Sequence, residues 1–320
     1  MTSTELVRVF KVKRGKKERV ITRATSEQLK NVHRRLLSLL TATSADLPSH
    51  VHGYVRGRSI ATNASPHAGR PFLQKFDFRD FFENVHSGDI VRGLEYYGLG
   101  RDAAELVASL TTRLGRLPLG FATSPLLANI SLYALDAELA RYADDRSLTL
   151  SRYADDLAFS SSQPFDASGD IRAIVTRHGH SLREEKTKTL KFGQPLYVTG
   201  LSVSSPDVAR LPRPMKARLR QHCYYIDRFG IDSHAERRAA KPEELRLRLA
   251  GLLSYARSVE PQWVTTVLSS YPHAEQVLFP RLDEIAEKRS SRLRALAGRI
   301  EESQVGRAQP YVPSVTYGDL

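Results

Sequence analysis

Apolar and charged residues alternate from Val9 to Ile21 (VFKVKRGKKERVI), which predicts two short strands joined by a basic turn at Arg14-Gly15-Lys16-Lys17. From Ser26 the period lengthens. Leu29, Val32, Leu36 and Leu39 recur at helical spacing with Lys30, His33, Arg34 and Arg35 off that face, so an amphipathic helix is expected. His50 to Arg70 has no period and is dense in Gly, polar and aromatic residues, the pattern of an ordered loop region. A short strand follows over Leu73 to Phe78, and Asp80 with Glu83 three residues on has the form of a capped helix start. Helical patterning covers Ser87 to Leu114, with Ile90, Leu94, Leu106, Val107 and Leu110 as core positions. After a turn at Pro118-Leu119-Gly120, one long buried helix is expected to begin at Ser124-Pro125 and continue through Leu135 and Leu139.

The stretch Thr149 to Ser162, TLSRYADDLAFSSS, sets two β-prone runs around Asp155-Asp156, which predicts a hairpin with paired carboxylates at its tip. The same four letters occur at Tyr142-Ala143-Asp144-Asp145, but there Leu132, Leu135 and Leu139 precede them at helical spacing, so that copy reads as a helix end. A helix over Ile171 to His178 and a β-prone segment over Leu196 to Val203 come next. From 72 to 190 the order is strand, helix, helix, strand-turn-strand, helix, strand, which fits the split β-α-β-β-α-β arrangement and brings Asp77 beside the Asp155-Asp156 hairpin. Beyond Pro212 the chain turns helical, with Met215, Leu219, His222 and Ile226 on one face and, after Pro242, Leu245, Leu249, Leu252 and Ala256 on another. A last helix is expected over Leu282 to Ile300, and Gln304 to Leu320 reads as a tail.

Composition narrows the classes. At 320 residues the chain can bury a substantial core in more than one subdomain. No run approaches the roughly 18 apolar residues of a membrane span, and the N-terminus is charged where a signal peptide is apolar. The single cysteine, Cys223, allows no internal disulfide, so a cytoplasmic location and a core-packing role are expected. The net charge of +13 is concentrated: residues 1–40 hold 11 Lys/Arg against 3 Asp/Glu, and 207–257 hold 12 against 6. Two basic blocks around a neutral middle suit a polyanion, although a solvated basic helix face has the same composition.

Two carboxylates in one tight turn repel unless a cation neutralises them, and their oxygens suit Mg²⁺. A solvated turn is the plain reading of Asp-Asp by itself. Asp77, set among aromatic residues on a neighbouring strand, makes a third carboxylate, and three such groups in a chain with two basic grips describe two-metal phosphoryl transfer. Arg19, on the second strand of the basic hairpin, is a candidate triphosphate contact.

At this point the residues resemble a family. Tyr153-Ala154-Asp155-Asp156 resembles the catalytic box of reverse transcriptases and Phe76-Asp77-Phe78-Arg79-Asp80-Phe81-Phe82 their first palm motif, in the same order and 78 residues apart from Asp77 to Asp155. The likeness extends through Leu117-Pro118-Leu119-Gly120, Ser124-Pro125, Asn129, Gly179 to Lys186 and Val198 to Leu201, over roughly residues 8–260. Asn63-Ala64-Ser65-Pro66-His67 and Val198-Thr199-Gly200 resemble the NAxxH and VTG signatures of retron reverse transcriptases.

The resemblance implies an α+β right-hand polymerase: fingers at 1–71 and 88–118, a ferredoxin-like palm at 72–87 and 119–206, a helical thumb at 207–303 and a C-terminal tail at 304–320. It implies that Asp77, Asp155, Asp156 and the Phe78 carbonyl bind two Mg²⁺ ions (or Mn²⁺). It makes Lys186 a candidate proton donor to pyrophosphate, Phe82 a steric gate against the ribose 2′-hydroxyl, and Leu119 and Gly120 part of the nucleotide site. Leu119 departs from the family's usual glutamine, Arg183 stands near a usual asparagine, and Ser204 near another. In a basic thumb, Arg213, Lys216, Arg218 and Arg220 are candidate RNA contacts.

The partners implied are dNTPs, a cognate structured noncoding RNA and its branched RNA-linked DNA product (msDNA), primed from an internal guanosine 2′-hydroxyl, and an effector protein in anti-phage defence; no membrane is implied. Two other readings stay open. One is a mobile-intron or other bacterial defence reverse transcriptase, against which stand only about 60 residues beyond the thumb-like region. The other is a non-catalytic RNA-binding protein on a polymerase-like palm, for which Leu119 is the one supporting feature.

Overall fold

The structure is a computed structural model and describes residues 6–14, 17–43 and 47–280. The chain divides into two compact units, 1–212 and 213–320. In the first, β1 (Val7–Arg14) and β2 (Lys17–Ala24) form the expected antiparallel hairpin, Val12 opposite Arg19; the turn residues Gly15 and Lys16 lie outside the described residues. Helix α1 (Glu27–Thr43) follows, but its buried face is rotated from the expected one: His33 and Leu40 are buried and Leu39 is 66% exposed. His33 lies inside because its ring meets the Leu110 carbonyl (2.9 Å) and packs on Phe121, which satisfies a polar group a leucine could not replace.

The expected loop at 50–70 contains a short helix α2 (Ile60–Ala64), started by a Ser59–Thr62 capping box, and a 3₁₀ turn at Ser65–His67. Strand β3 (Phe72–Asp77) leads to a set of turns rather than a helix. Asp80 caps nothing: its φ is +44° and it pairs with Arg183 at 3.0 Å. The next helix, α3 (Ser87–Tyr96), is capped instead by Asp89, whose Oδ2 accepts from the His86 amide at 2.8 Å. The long helical stretch is two helices, α3 and α4 (Arg101–Thr111). Ala104, Val107, Ala108 and Thr111 make the inner face of α4, and Leu106 and Leu110 are exposed, because small residues let the two helices approach.

The long helix expected from Ser124 is also two, α5 (Ser124–Ser131) and α6 (Tyr133–Asp145), broken at Leu132 (φ −90°, ψ 7°). The break changes the phase of the buried face. α5 packs on α3, whereas α6 turns Leu135, Asp136 and Leu139 toward β4 (Thr149–Tyr153) and α7 (Ser168–Arg177). Tyr142-Ala143-Asp144-Asp145 ends α6, as expected of the second copy of the motif. β5 (Asp156–Ser161) and β6 (Lys188–Lys191) complete an antiparallel sheet in the order β4-β5-β3-β6, which with its helices is the ferredoxin-like arrangement of a right-hand polymerase palm. Phe76, Leu157 and Phe159 of the sheet join Leu127, Ile130, Leu139 and Ile171 in one core. The segment 196–203 is not one strand but a small hairpin, β7 (Tyr197–Val198) and β8 (Leu201–Ser202). Its connecting residues, Thr199 and Gly200, both have positive φ (45° and 81°), as a two-residue loop with right-handed strand twist requires.

The second unit begins with α8 (Arg213–Glu236), interrupted at Gly230 (φ 77°), and continues through α9 (Pro242–Val259), α10 (Pro261–Ser270) and α11 (Pro272–Leu278). Leu219, His222, Cys223 and Ile226 pack inward, as do Leu245, Leu249, Leu253 and Ala256; Leu252, expected inside, is exposed and Leu253 takes its place. The helix expected over 282–300 and the tail after it lie outside the described residues. Among the described residues no helix is long and apolar enough to cross a membrane.

Gly120 joins the basic hairpin to the turn before α5. Its φ is +120°, a Cβ there would lie 2.7 Å from the Thr22 carbonyl oxygen, and the Thr22 amide donates to the Leu119 carbonyl at 2.8 Å. Gly120→Ala is expected to detach β2 from this turn, so that amide exchange at Thr22 quickens while exchange in β3 and β5 is unchanged; unaltered protection of Thr22 would contradict the contact.

Candidate active site

Strand register assembles the site. Asp77, the last residue of β3, is the cross-strand partner of Asp156, the first of β5, and Asp156 pairs in turn with Tyr153 at the end of β4. The connecting residues Ala154 and Asp155 form the tip. Phe78 donates its amide to the Asp155 carbonyl at 2.9 Å, so the two carboxylate-bearing segments are joined by backbone as well as by the ladder. Directly opposed like charges destabilise a sheet, and here they also lie partly out of water. Burial, then the nearby Asp155 and Asp77 charges, push the Asp156 carboxyl up to about 6 against the opposing pull of Lys75 and Lys186.

Cations line the other side of Asp77. Lys186, at the end of a 3₁₀ turn (Glu184–Lys186), donates to Asp77 Oδ2, and Arg183 Nη1 lies 3.4 Å from Oδ1 while its Nη2 holds Asp80. Asp77 Oδ1 is buried and receives no hydrogen bond. An oxygen left this way, beside two more carboxylates, fits a hard divalent cation, and Asp77, Asp155 and Asp156 are the residues that could hold one. Among the described residues no three such side chains are already gathered into a closed cage; in this state the Lys186 ammonium is the counter-charge of Asp77.

The other expected residues lie in both units. Phe78 is fully buried against Phe81 and His180, so that only its backbone amide and carbonyl can meet polar groups of the site. Phe82 is half-buried, its ring 5.2 Å from Phe81 and 6.3 Å from Tyr54. Tyr54 was not legible in the aperiodic loop. Its φ is +62° and it is half-buried; that burial, followed by the charge of Asp155, raises its phenol above the ordinary range while Arg19 on β2 pulls the other way. Leu119 and Gly120 contact β2, as described above. In the second unit Arg213, Arg218 and Arg220 are exposed on α8; Lys216 is committed to Glu260 (2.5 Å) and lies over the Trp263 ring.

The two signature segments meet, although 136 residues separate Asn63 from Thr199. Thr199 Oγ1 donates to the Ile60 carbonyl (3.0 Å) and lies 3.4 Å from Asn63 Nδ2. Val198 and Ala64 are buried at this junction, and Gly200 closes the turn. His67 is fully buried with one ring nitrogen 2.6 Å from Ser160 Oγ on β5 and the other 2.8 Å from Ser151 Oγ on β4, so it staples the stem of the Asp155-Asp156 hairpin. Burial lowers its pKa to about 3, which keeps it neutral: one nitrogen donates and the other accepts.

The family model described as reverse transcriptase (RNA-dependent DNA polymerase) matches residues 11–227. Retron Mx65 reverse transcriptase of Myxococcus xanthus is 33% identical over 261 residues, covering 75% of this chain and 58% of the relative. Retron Mx162 reverse transcriptase of the same organism is 29% identical, covering 81% and 59%, and Retron Ec73 reverse transcriptase of Escherichia coli is 28% identical, covering 73% and 78%. The chain therefore spans under three-fifths of the length of the two Myxococcus relatives. Among solved structures, telomerase from Candida albicans in complex with a TWJ fragment of telomeric RNA superposes with a TM-score of 0.53 at 11% identity, over 88% of this chain and 65% of that one, a likeness of fold alone.

The His67 staple has a pH signature. Its folded pKa lies below the unfolded 6.5, so the unfolded chain binds the extra proton and this part of the stability is complete above pH 6.5 and lost as pH falls toward 3. Between about pH 7.5 and about pH 5 the wild type is expected to lose about 2 kcal/mol more stability than His67→Gln, read by denaturant unfolding at each pH. Parallel pH profiles would contradict a buried neutral imidazole.

Proposed function

The chain belongs to the reverse transcriptase (RNA-dependent DNA polymerase) family, and from that membership we propose that it is the RNA-directed DNA polymerase of a retron. One observation supports the chemistry above all: the β3–β5 register that sets Asp77 opposite Asp156, with the Asp155 carbonyl tied to the Phe78 amide. In the proposed reaction a primer hydroxyl oxygen bonds to the α-phosphorus of a deoxynucleoside triphosphate. The α–β phosphoanhydride bond breaks, pyrophosphate leaves with the electron pair, and the hydroxyl proton passes to solvent.

Asp77, Asp155 and Asp156, with the Phe78 carbonyl, would hold two Mg²⁺ ions, which supply Lewis acidity at the attacking and leaving oxygens. Lys186 and Arg183, now on opposite oxygens of Asp77, are the cations placed to meet charge on the departing pyrophosphate. Arg19 takes the triphosphate from the fingers side, and Phe82, with Tyr54 facing it, bars a ribose 2′-hydroxyl by bulk. Leu119 offers this nucleotide only an apolar contact and, through its carbonyl, the anchor for β2.

The retron assignment is supported by the relatives named above and by the joined Asn63 and Thr199 segments. On this reading the enzyme acts in the cytoplasm on a structured noncoding RNA and primes from an internal 2′-hydroxyl. It makes branched RNA-linked DNA and works with an effector protein in anti-phage defence. Residues 1–71 and 88–118 serve as fingers, 72–87 and 119–206 as palm, 304–320 as a C-terminal tail and 207–303 as thumb. There the exposed Arg213, Arg218 and Arg220 take RNA phosphates, and Lys216 contributes through its place beside Glu260.

Expression with the native flanking locus tests this directly. Sequencing of the copurified nucleic acid is expected to find a discrete DNA joined to RNA through a 2′,5′ branch, absent from Asp155→Asn/Asp156→Asn. Unbranched DNA would reject the retron reading, and RNA without DNA in both proteins would reject the polymerase. Phe82→Ala is expected to raise ribonucleotide incorporation relative to deoxyribonucleotide by roughly tenfold or more, measured in single-nucleotide extension. An unchanged ratio would remove Phe82 from the gate.

A further inference from the structure

The tip of the catalytic hairpin is built on an unfavourable conformation. Ala154, the residue before Asp155, has φ +56°, which a two-residue loop demands and which glycine adopts freely but alanine at a cost on the order of 1 kcal/mol. Something must hold it there. The only side-chain hydrogen bond to the Ala154 carbonyl among the described residues comes from Arg152 Nη1 at 3.2 Å.

Arg152 is itself fully buried, an expensive place for a guanidinium. Its charge is met by Asp136 of α6, which accepts from Nε at 2.7 Å and from Nη2 at 2.5 Å, and Nη1 also donates to Asn129 Oδ1 of α5 at 3.0 Å. Burial alone would raise the Asp136 carboxyl; Arg152, with His50, reverses that and holds it below its ordinary value. The Arg152 backbone is fixed too, its amide donating to the His50 carbonyl (2.7 Å) and its carbonyl accepting from His52 (2.8 Å). From the other side Gly53 presses on the same turn: a Cβ at Gly53 would overlap the Ala154 amide nitrogen, and the Gly53 carbonyl is held by Asn129 Nδ2 at 2.8 Å. Asn129 before the break between α5 and α6 and Asp136 after it thus meet on one guanidinium.

We propose that Arg152 is a positioning residue of the polymerase site, a buried clamp that, with Asn129 and Gly53, fixes the Ala154 carbonyl and so aims the Asp155 and Asp156 carboxylates for divalent-cation binding. The inference rests on the reading of those two aspartates as the reactive centre. A merely structural ion pair would stabilise the fold without tuning the turn, and the two roles separate when both charges are removed together. Replacing a buried pair by apolar residues of similar size often leaves stability intact, whereas losing a group that orients metal ligands costs roughly 10–100-fold in affinity or activity.

The test is the double variant Arg152→Met/Asp136→Leu beside wild type, in the full chain. Three readouts are needed: melting, Mn²⁺ binding by electron paramagnetic resonance without nucleotide, and primer extension resolved into kcat and dNTP KM. The clamp predicts a folded protein whose Mn²⁺ affinity and kcat each fall roughly tenfold or more. It also predicts that dNTP KM changes little and that amide exchange at Phe78, which donates to the Asp155 carbonyl, quickens. Wild-type Mn²⁺ affinity in a folded double variant overturns the proposal. Should that variant melt below the assay temperature, Gly53→Ala decides in the same way, because it displaces Ala154 while leaving every charge in place. Failure of the wild type itself to extend a primer would instead reject the proposed function, and the Mn²⁺ comparison would still judge the clamp.

Discussion

Asp77 and Asp156 face each other across a β-ladder with Asp155 one residue away, so three like charges share the ends of adjacent strands. With its carboxyl pushed up to about 6, keeping Asp156 ionised at neutral pH costs about 3 kcal/mol, a large share of the stability of an ordinary domain. The first unit offsets this in two ways. Lys186, Arg183 and Lys75 supply positive charge around the carboxylates, and the ladder, with the Phe78 amide on the Asp155 carbonyl, denies the segments room to separate. A divalent ion held between these carboxylates would remove the repulsion the fold otherwise has to contain.

The sheet is supported differently on its two sides. Helices α5, α6 and α7 fill one region with Leu127, Leu135, Leu139, Ile171 and Val175. The hairpin itself is gripped by buried polar groups: the His67 staple at Ser151 and Ser160, and the Arg152 cluster at its tip. Directional bonds suit this place better than apolar packing, because they fix the position of backbone atoms, and each of the three guanidinium nitrogens of Arg152 has an acceptor. The edge of β4 is covered as well, by backbone bonds from His50 and His52, so the segment 50–67 acts as a strap across the hairpin.

Local pattern carried the strands that bear the three carboxylates. The β-prone runs around Asp155-Asp156, the aromatic strand ending at Asp77 and the helical approach to Asp144-Asp145 each had a short-range signal, and the right-hand polymerase fold with its ferredoxin-like sheet follows from their order. What was hidden depended on long-range contacts. The break at Leu132 has no glycine or proline to mark it, and the residues on either side of it that meet Arg152, Asn129 and Asp136, are joined to it only through the fold. Asp80 satisfied a capping pattern but was claimed by Arg183, whose side chain comes from 103 residues further along. Leu39, Leu106 and Leu252 are exposed, and Leu40, Val107 and Leu253, each one residue on, are buried. Helices α10 and α11 were passed over although Pro261 and Pro272 stand at their first positions, a start signal that could have found them. Tyr54 and Gly53 lay in an aperiodic loop, where only the fold shows which residue touches the site.

The most direct test of the central claim, that these three aspartates make one centre for RNA-templated DNA synthesis, is extension of a DNA primer on an RNA template by purified protein in Mg²⁺. Wild type should be compared with Asp77→Asn, the substitution on the strand that does not belong to the hairpin. The account predicts template-directed extension by the wild type and a loss of roughly a thousandfold or more in the variant, with its fold retained. Comparable extension by a folded Asp77→Asn would contradict it, because the register that pairs Asp77 with Asp156 would then have no part in the chemistry.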